Sequence, residues 1–342
     1  MSHALRQRLA QGPVICAEGY LFELERRGYV QAGAFVPEVV LDHPEVVAQL
    51  HRDFVRAGSD VVEAFTYYAH REKMRIVGKE HLLEDLNRQA LAIAKEVAAE
   101  TGSLFAGDIC NTNLYEDEAS RATVRAMFEE QVGWAVDAGV DFVIAETYSH
   151  CAEALIGLEV IKEAGLAAVV TLTVHQAPET RDGLTLPEAC KRLEDAGADV
   201  VGLNCCRGPA TLMPLVRAVR ETVSGHVAAL PVPYRTHPEQ PTFQSLRDPD
   251  HEPPGGMPFP TALDPFMCTR YEIADFAREA VEIGVDYLGL CCGAGPHHVR
   301  SLAEAIGRTP PASRYSPDMS KHAYFGTDDT LKAENVEYAK DL

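Results

Sequence analysis

The chain has 342 residues, of which 46% are hydrophobic, and a formal net charge of −20. This length is enough to bury a large core, as one barrel or as two ordinary domains. Because nucleic acids and anionic membranes bind through clustered Lys and Arg, the acidic charge argues against both partners and favours a small soluble substrate.

Apolar, β-branched segments recur along the chain and are typical of buried strands. The predicted strands cover residues 14–17, 60–67, 104–110, 141–146, 167–174, 199–205, 226–232 and 287–291. Stretches with helical spacing lie between them, at residues 44–57, 83–99, 119–138, 151–164, 186–196, 210–223 and 272–283. A repeated Gly-x-Asp phrase introduces several strands: the Gly caps a helix, and Asp60, Asp141, Asp199 or Asp286 opens the next strand.

Strand and helix alternating over about 300 residues predict a (β/α)8 TIM barrel, which we place at residues 1–309. A doubly wound open sheet is the alternative. The polar segment 310–342 is predicted to be a tail that docks on the barrel or on a partner subunit. The segment 233–265 is rich in Pro, Gly and charge, and we expect it to cover the barrel mouth as a lid.

The active site of such a barrel lies where the strands end. The predicted strand ends carry carboxylates, aromatic rings and thiols. They are Glu18, Tyr67, Tyr68, Asp108, Glu146, Thr147, Cys205, Cys291 and Cys292. These side chains are therefore expected to converge on one mouth.

The thiols at two of these strand ends suit a soft metal. Adjacent strand residues point to opposite faces, so Cys291 and Cys292 can reach one metal only if the strand ends there and turns. Gly293 and Gly295 allow such a turn. Three cysteines and one open position would make a catalytic zinc site. The alternative for each cysteine is packing in the core as a small hydrophobic residue.

The cysteine content does not predict a disulfide framework. The sequence has nine cysteines, no apolar signal segment at its start and no stretch long enough to cross a bilayer. We therefore expect a reduced cytoplasmic protein.

Two segments resemble the homocysteine S-methyltransferases, in which zinc is held by one Cys of a GxNC segment and two Cys of a GxCCG segment. Here they read Gly-Leu-Asn-Cys at 202–205 and Gly-Leu-Cys-Cys-Gly at 289–293. Further likeness to the betaine-homocysteine branch lies at residues 25–33, 43–47, 64–68 and 317–321. The resemblance implies that zinc is bound by Cys205, Cys291 and Cys292, whereas Cys206 has no counterpart among the family ligands.

The same resemblance implies methyl transfer from a methylated ammonium or sulfonium donor to homocysteine, which gives methionine. Glu146 matches the family carboxylate that binds the homocysteine ammonium. The family has Asp-Gly after the first strand, whereas this chain has Ala17-Glu18-Gly19. Glu18 is therefore the candidate replacement for the missing Asp, or the acceptor differs from homocysteine.

The donor site implied by the resemblance is an aromatic cage, because ring faces bind onium groups. Phe35, Tyr67 and Tyr68 match cage positions, with simple core packing as the alternative. Thr147 occupies the position of another cage aromatic, and Tyr148 follows it. The donor stays open among glycine betaine, another betaine and a methylated sulfonium.

Other functions are compatible with the same residues. The chemistry could act on a different thiol or selenol acceptor, or the barrel could be a zinc hydrolase, although hydrolases usually use His and carboxylate ligands. A zinc-binding structural or sensor protein would need a fourth ligand, for which Cys206 and Cys268 are candidates. His297 and His298 follow the zinc segment, and we predict a helix start there rather than metal ligation. A homo-oligomer is possible.

Overall fold

The computed structural model describes residues 4–342. Its strands are parallel and pair in chain order, and the last strand closes on the first to form a barrel. The strands are β1 (Val14–Ala17), β2 (Val61–Glu63), β3 (Leu104–Cys110), β4 (Phe142–Tyr148), β5 (Ala167–Leu172), β6 (Val200–Asn204), β7 (His226–Leu230) and β8 (Tyr287–Leu290). This is the (β/α)8 TIM barrel that the sequence predicts.

Helices connect the strands and pack around the barrel. They are α1 (Ala4–Leu9), α2 (Tyr20–Arg26), α3 (Val39–Asp42), α4 (Pro44–Ala57), α5 (Arg71–Ile76), α6 (Leu83–Thr101), α7 (Arg121–Ala138), α8 (Cys151–Glu163), α9 (Leu186–Asp195), α10 (Pro209–Thr222), α11 (Arg270–Glu282), α12 (Pro296–Ala305) and α13 (Ala333–Tyr338). Short 3-10 helices lie at Glu80–Leu82, Glu118–Ser120, Pro249–His251, Asp264–Phe266, Pro311–Tyr315, Met319–Lys321 and Ala339–Asp341.

The repeated Asp residues act at the amino-terminal end of the barrel. Asp141 accepts a hydrogen bond from a backbone N–H of β3 at 2.9 Å, and Asp199 accepts one from β5 at 2.9 Å. Asp60 and Asp286 do the same for β1 and β7. Each Asp therefore ties its own strand to the preceding one, which explains why the phrase recurs before every second strand.

Side chains alternate along each strand between the barrel interior and the helix layer. Cys16, Val61, Ala106 and Ile144 belong to the buried cluster inside the barrel. Two residues after each of them, in the carboxyl-terminal part of the strand or just beyond it, is a carboxyl group. These carboxylates are Glu18, Glu63, Asp108 and Glu146. The strand alternation thus places four acidic side chains at the carboxyl-terminal mouth.

The end of β2 differs from the prediction. This strand ends at Glu63 and not at residue 67, because the chain turns where the Thr66 N–H donates to the Ala64 carbonyl at 2.8 Å. Tyr67 and Tyr68 therefore lie in the turn after β2, and Glu63 is the true strand-terminal side chain.

Other boundaries differ by one or two residues. β4 continues to Tyr148 through an irregular register after Ala145, whereas β5 and β7 end two residues earlier than predicted. The prediction missed α1, α2, α3, α5 and α13, because helices of four to seven residues are too short to show a helical period.

The tail after the barrel is only partly docked. The guanidinium of Arg300 in α12 donates to the carbonyls of Ala312 and Tyr315, and the guanidinium of Arg56 in α4 lies 5.6 Å from the Tyr315 ring centroid. Beyond Tyr315 most residues are exposed. Within the described residues, no helix combines the length and apolar character needed to cross a bilayer.

Candidate active site

Three cysteines meet at the mouth of the barrel. Cys205 follows β6, and Cys291 and Cys292 follow β8; their sulfur atoms all lie within 4.8 Å of one another. The sulfurs of Cys291 and Cys292 are 4.0 Å apart. A disulfide needs about 2.05 Å, whereas tetrahedral Zn–S bonds of about 2.3 Å separate two sulfurs by about 3.8 Å. This three-cysteine cluster therefore has the spacing of a metal centre.

The turn after β8 is held from two sides. Gly293 has a φ of 96°, which favours glycine, and the chain reverses there as predicted. The Arg26 guanidinium of α2 donates to the Gly293 carbonyl at 3.0 Å and to the Tyr234 hydroxyl at 2.9 Å. A Cβ on Gly19 would lie 2.3 Å from the Ala294 carbonyl oxygen. The start of α2 is thus packed directly against the turn that carries two of the thiols.

Cys206 lies beside the three-cysteine cluster with different partners. Its sulfur accepts a hydrogen bond from the Gln244 amide at 3.3 Å and is 4.0 Å from Nδ1 of His175. Among the described residues, the group of sulfurs close enough to share a metal contains Cys205 and excludes Cys206.

The two histidines after the cysteines lie at the start of α12, as predicted. Nδ1 of His298 accepts from the Gly295 N–H at 3.2 Å, and Nε2 lies 3.3 Å from the Cys268 carbonyl oxygen. Burial lowers the pKa of His298 to about 3. Both ring nitrogens of His298 are therefore used, one at the start of α12 and the other next to the Cys268 carbonyl oxygen.

Below the cysteines is a narrow space, the inner cavity, with a volume of about 20 Å³. Glu18, Glu63, Asp108 and Glu146 line it together with the three cysteines. Burial raises the pKa of Glu146 to about 7. The pKa values of Glu18, Glu63 and Asp108 are raised well above their ordinary values, mainly by burial and in addition by repulsion from neighbouring carboxylates. The sequence analysis did not select Glu63.

Asn204 organises the side of this cavity next to Cys205. Its Nδ2 donates to Glu146 at 2.6 Å and to the Thr147 hydroxyl at 2.9 Å, and its Oδ1 accepts from the Thr147 N–H. Nδ2 also lies 3.5 Å from Glu18. The sequence analysis missed Asn204 as a site residue, although it stands inside the motif that supplies Cys205.

Outside the cysteines is a larger outer chamber of about 420 Å³. The predicted residues Phe35, Tyr67, Tyr68 and Thr147 all line it. Four further phenylalanine and tyrosine rings belong to its wall and were not predicted. These are Phe22 of α2, Tyr115 of the segment after β3, and Phe243 and Phe259 of the segment after β7. The segment predicted as a lid thus covers the chamber; its movement stays a prediction.

The tyrosines near the chamber are not equivalent. The Lys73 ammonium lies 4.6 Å from the Tyr68 ring centroid, so the protein's own cation already occupies one face of that ring. Tyr67 lines both the chamber and the inner cavity. Tyr148 is fully buried and packs edge-on against Phe128 of α7, so it does not replace the ring missing at Thr147.

Backbone strain is concentrated at this site. A positive φ is costly for residues other than glycine, and the described part of the chain has six such residues. They are Phe35, Tyr68, Asn113, Thr147, Cys205 and Cys206. All six line the outer chamber. The fold therefore holds this wall in a conformation that local preference opposes.

Comparison with known proteins agrees with this geometry. Residues 15–306 match the family model of the homocysteine S-methyltransferases. The chain belongs to this family. Family membership makes it a methyltransferase and sets aside the hydrolase and the non-catalytic alternatives.

Two curated relatives span most of the chain. Betaine–homocysteine S-methyltransferase 1 of Xenopus tropicalis is 37% identical over 336 residues, 94% of this chain and 80% of that protein. S-methylmethionine–homocysteine S-methyltransferase BHMT2 of Pongo abelii is 36% identical over 333 residues, 94% of this chain and 85% of that protein. The two relatives are named for different methyl donors.

A solved structure shares the fold. The homocysteine methyltransferase MmuM of Escherichia coli, described as its metallated form, superposes with a TM-score of 0.68 over 87% of this chain and 98% of that one. Because the identity is 18%, this likeness bears on the fold alone.

Proposed function

We propose that the chain is a zinc-dependent enzyme that moves a methyl group from a betaine-like or sulfonium donor to the thiolate of homocysteine, giving methionine. One observation carries the proposal. Cys205 and Cys292 line both the inner cavity and the outer chamber. A thiol held at the cysteines would thus have carboxyl groups for its ammonium on one side and space for a methyl donor on the other.

The residues present fit zinc. Three buried or half-buried free thiols with metal-like spacing, and no fourth protein ligand in the group of described residues, leave one coordination position for a substrate sulfur. When bound, zinc lowers the pKa of a coordinated thiol so that it is a thiolate at neutral pH.

The inner cavity would bind the ammonium group of the acceptor. Glu146 and Glu18 both reach it from different strands, and Asn204 fixes the orientation of the Glu146 carboxylate. Charge-assisted hydrogen bonds from an ammonium group to these carboxylates would orient the acceptor sulfur toward the chamber.

The outer chamber would bind the donor. The rings of Phe35 and Tyr67 line it and would contact an onium group. Arg181 lines the same chamber, where it would suit the carboxylate of a zwitterionic donor. The acceptor sulfur attacks the methyl carbon, the onium–methyl bond breaks, and its electron pair stays on the donor. Phe243 and Phe259 would keep water from this step.

A donor screen tests the proposal. The zinc-loaded enzyme is incubated with homocysteine and, in separate reactions, glycine betaine, other betaines, S-methylmethionine and dimethylsulfoniopropionate. We expect methionine to form with at least one of them, and only when homocysteine is present. Absence of methionine with every onium donor from a fully zinc-loaded preparation would reject the proposed function.

A second prediction concerns Glu18, which stands one position after the family Asp. Its buried carboxylate lies in the inner cavity, near Glu146 and Cys291. Because a charge-assisted hydrogen bond contributes about 1.5 to 3 kcal/mol, Glu18→Gln should raise the homocysteine KM about tenfold or more. Zinc content, measured by atomic emission, should not change. An unaltered homocysteine KM would make Glu18 a structural residue.

A further inference from the structure

The inner cavity contains more carboxyl groups than the two that the sequence analysis assigned to the acceptor ammonium, Glu18 and Glu146. Ligand oxygens of Glu63, Asp108 and Glu146 lie within 4.8 Å of one another, and Glu63 also lies within 4.8 Å of Glu18. Glu63 is 3% exposed, and Asp108 and Glu18 are 6% exposed. Four carboxylates thus share one desolvated space.

Three of these side chains each keep one oxygen without a hydrogen-bond partner among the described residues. They are Glu18 Oε1, Glu63 Oε1 and Asp108 Oδ1. The lining of the inner cavity includes no Lys, Arg or His side chain from the described chain. Buried carboxylates without a partner are costly, and buried charges are normally paired. The arrangement is therefore suited to a cation that the protein itself does not provide.

The size of the cavity limits what that cation can be. A volume of about 20 Å³ holds a group of the size of one water molecule. A primary ammonium group meets this limit. A magnesium ion usually keeps several of its waters, and this space is too small for them. A dehydrated calcium ion is not excluded by size, and the metal content per chain, tested below, distinguishes it from an ammonium group.

We propose that Glu63 and Asp108 make the inner cavity an ammonium-selective pocket and that this pocket extends the acceptors from homocysteine to aminothiols that carry no carboxylate. The inference rests on the proposed function and deepens its acceptor site. Glu63 and Asp108 are specificity-determining residues in it, in addition to Glu18 and Glu146.

Charge explains why the acceptor carboxylate is dispensable. In homocysteine the carboxylate and the ammonium are attached to the same carbon, so an ammonium at Glu63 and Asp108 brings a negative group close to several carboxylates. Repulsion between such charges is strong where water is excluded. The compound 3-aminopropane-1-thiol is homocysteine without its carboxylate, and it avoids this repulsion.

The reaction on such an acceptor balances in the same way as with homocysteine. The thiol loses its proton on binding, its sulfur forms a bond to the donor methyl group, and the donor keeps the electron pair of the broken onium–methyl bond. The products are a methyl aminoalkyl thioether and the demethylated donor.

A matched pair of thiols tests the proposal by calorimetric binding to the zinc-loaded enzyme. One is 3-aminopropane-1-thiol, which lacks the carboxylate, and the other is 4-mercaptobutyrate, which lacks the ammonium. We expect the aminothiol to bind at least as tightly as homocysteine and 4-mercaptobutyrate to bind at least about tenfold more weakly. Equal binding of the two analogues would overturn the proposal.

Glu63→Gln and Asp108→Asn test the two residues. Each substitution keeps the size of the side chain and removes its charge, and each should weaken binding of 3-aminopropane-1-thiol about tenfold while leaving 4-mercaptobutyrate unchanged or stronger. Asp199→Asn is the control, because its buried carboxylate lies at the opposite end of the barrel. Normal aminothiol binding in both test variants would overturn the assignment.

Two further readouts separate the possible failures. If the enzyme binds a second metal ion per chain and Glu63→Gln loses that ion, the cavity is a metal site and the inference is overturned. If the affinities follow the predicted order but the enzyme transfers no methyl group to any thiol, the assignment of Glu63 and Asp108 to ammonium binding stands, whereas the proposed function and the extension of its acceptors fail. If the enzyme methylates homocysteine but binds the two analogues equally, the proposed function stands and the inference fails.

Discussion

Replacing Cys291 with Ala is expected to remove bound zinc and to lower kcat/KM about a thousandfold or more. The sulfur of Cys291 is one of three within 4.8 Å of one another, so its loss leaves two protein ligands where a catalytic zinc site normally has three. Zinc content by atomic emission and methionine formation should therefore fall together.

Cys206→Ala is the matched control for this prediction. Cys206 is adjacent to Cys205 in the chain and is also buried, but its sulfur contacts Gln244 and His175. We expect this variant to keep both zinc and most of its activity. Full zinc occupancy in Cys291→Ala, with the fold intact by circular dichroism, would contradict the assignment of the metal ligands.

The second large effect is expected at Tyr67. Its ring lies at the junction of the outer chamber and the inner cavity. A desolvated cation–π contact contributes up to about 2 kcal/mol, so Tyr67→Leu should raise the donor KM as much as about thirtyfold. The homocysteine KM should change far less. Steady-state kinetics with each substrate varied in turn measures the two effects.

Tyr67→Phe and Tyr68→Leu are the controls. Tyr67→Phe keeps the ring face and should keep most of the donor affinity. Tyr68→Leu should raise the donor KM less than Tyr67→Leu, because the Lys73 ammonium already lies 4.6 Å from the Tyr68 ring centroid. An equal rise in both KM values for Tyr67→Leu would show that this ring only packs the barrel.

The three-cysteine cluster lies between the proposed acceptor site and the proposed donor site. The carboxyl groups proposed for the acceptor include Glu63, Asp108 and Glu146, which belong to paired strands of the barrel. The chamber proposed for the donor instead takes two rings, Phe243 and Phe259, from the long segment after β7. Under the proposed function, donor preference could therefore change through this loop without disturbing the proposed metal ligands or acceptor carboxylates.

The sequence alone determined the barrel and selected the candidate metal ligands. Strand and helix patterns are local, so their alternation along the chain was sufficient to predict the fold. The thiols at 205, 291 and 292 could be selected because each follows an apolar strand, and because the resemblance to the family rests on the same short segments. Glu18 and Glu146 were found for the same reason.

The tertiary structure decided the features that depend on the exact end of a strand and on which side chains face one another across the barrel. Glu63 was missed because the sequence does not show that β2 ends there. Asp108 became a candidate for ammonium binding only because the fold brings its carboxyl group close to those of Glu63 and Glu146. The sequence places Tyr148 one position after the cage position held by Thr147, and only the fold shows that its ring packs against Phe128. Charge repulsion, cavity size and ring orientation arise between residues far apart in the chain, and a local pattern does not encode them.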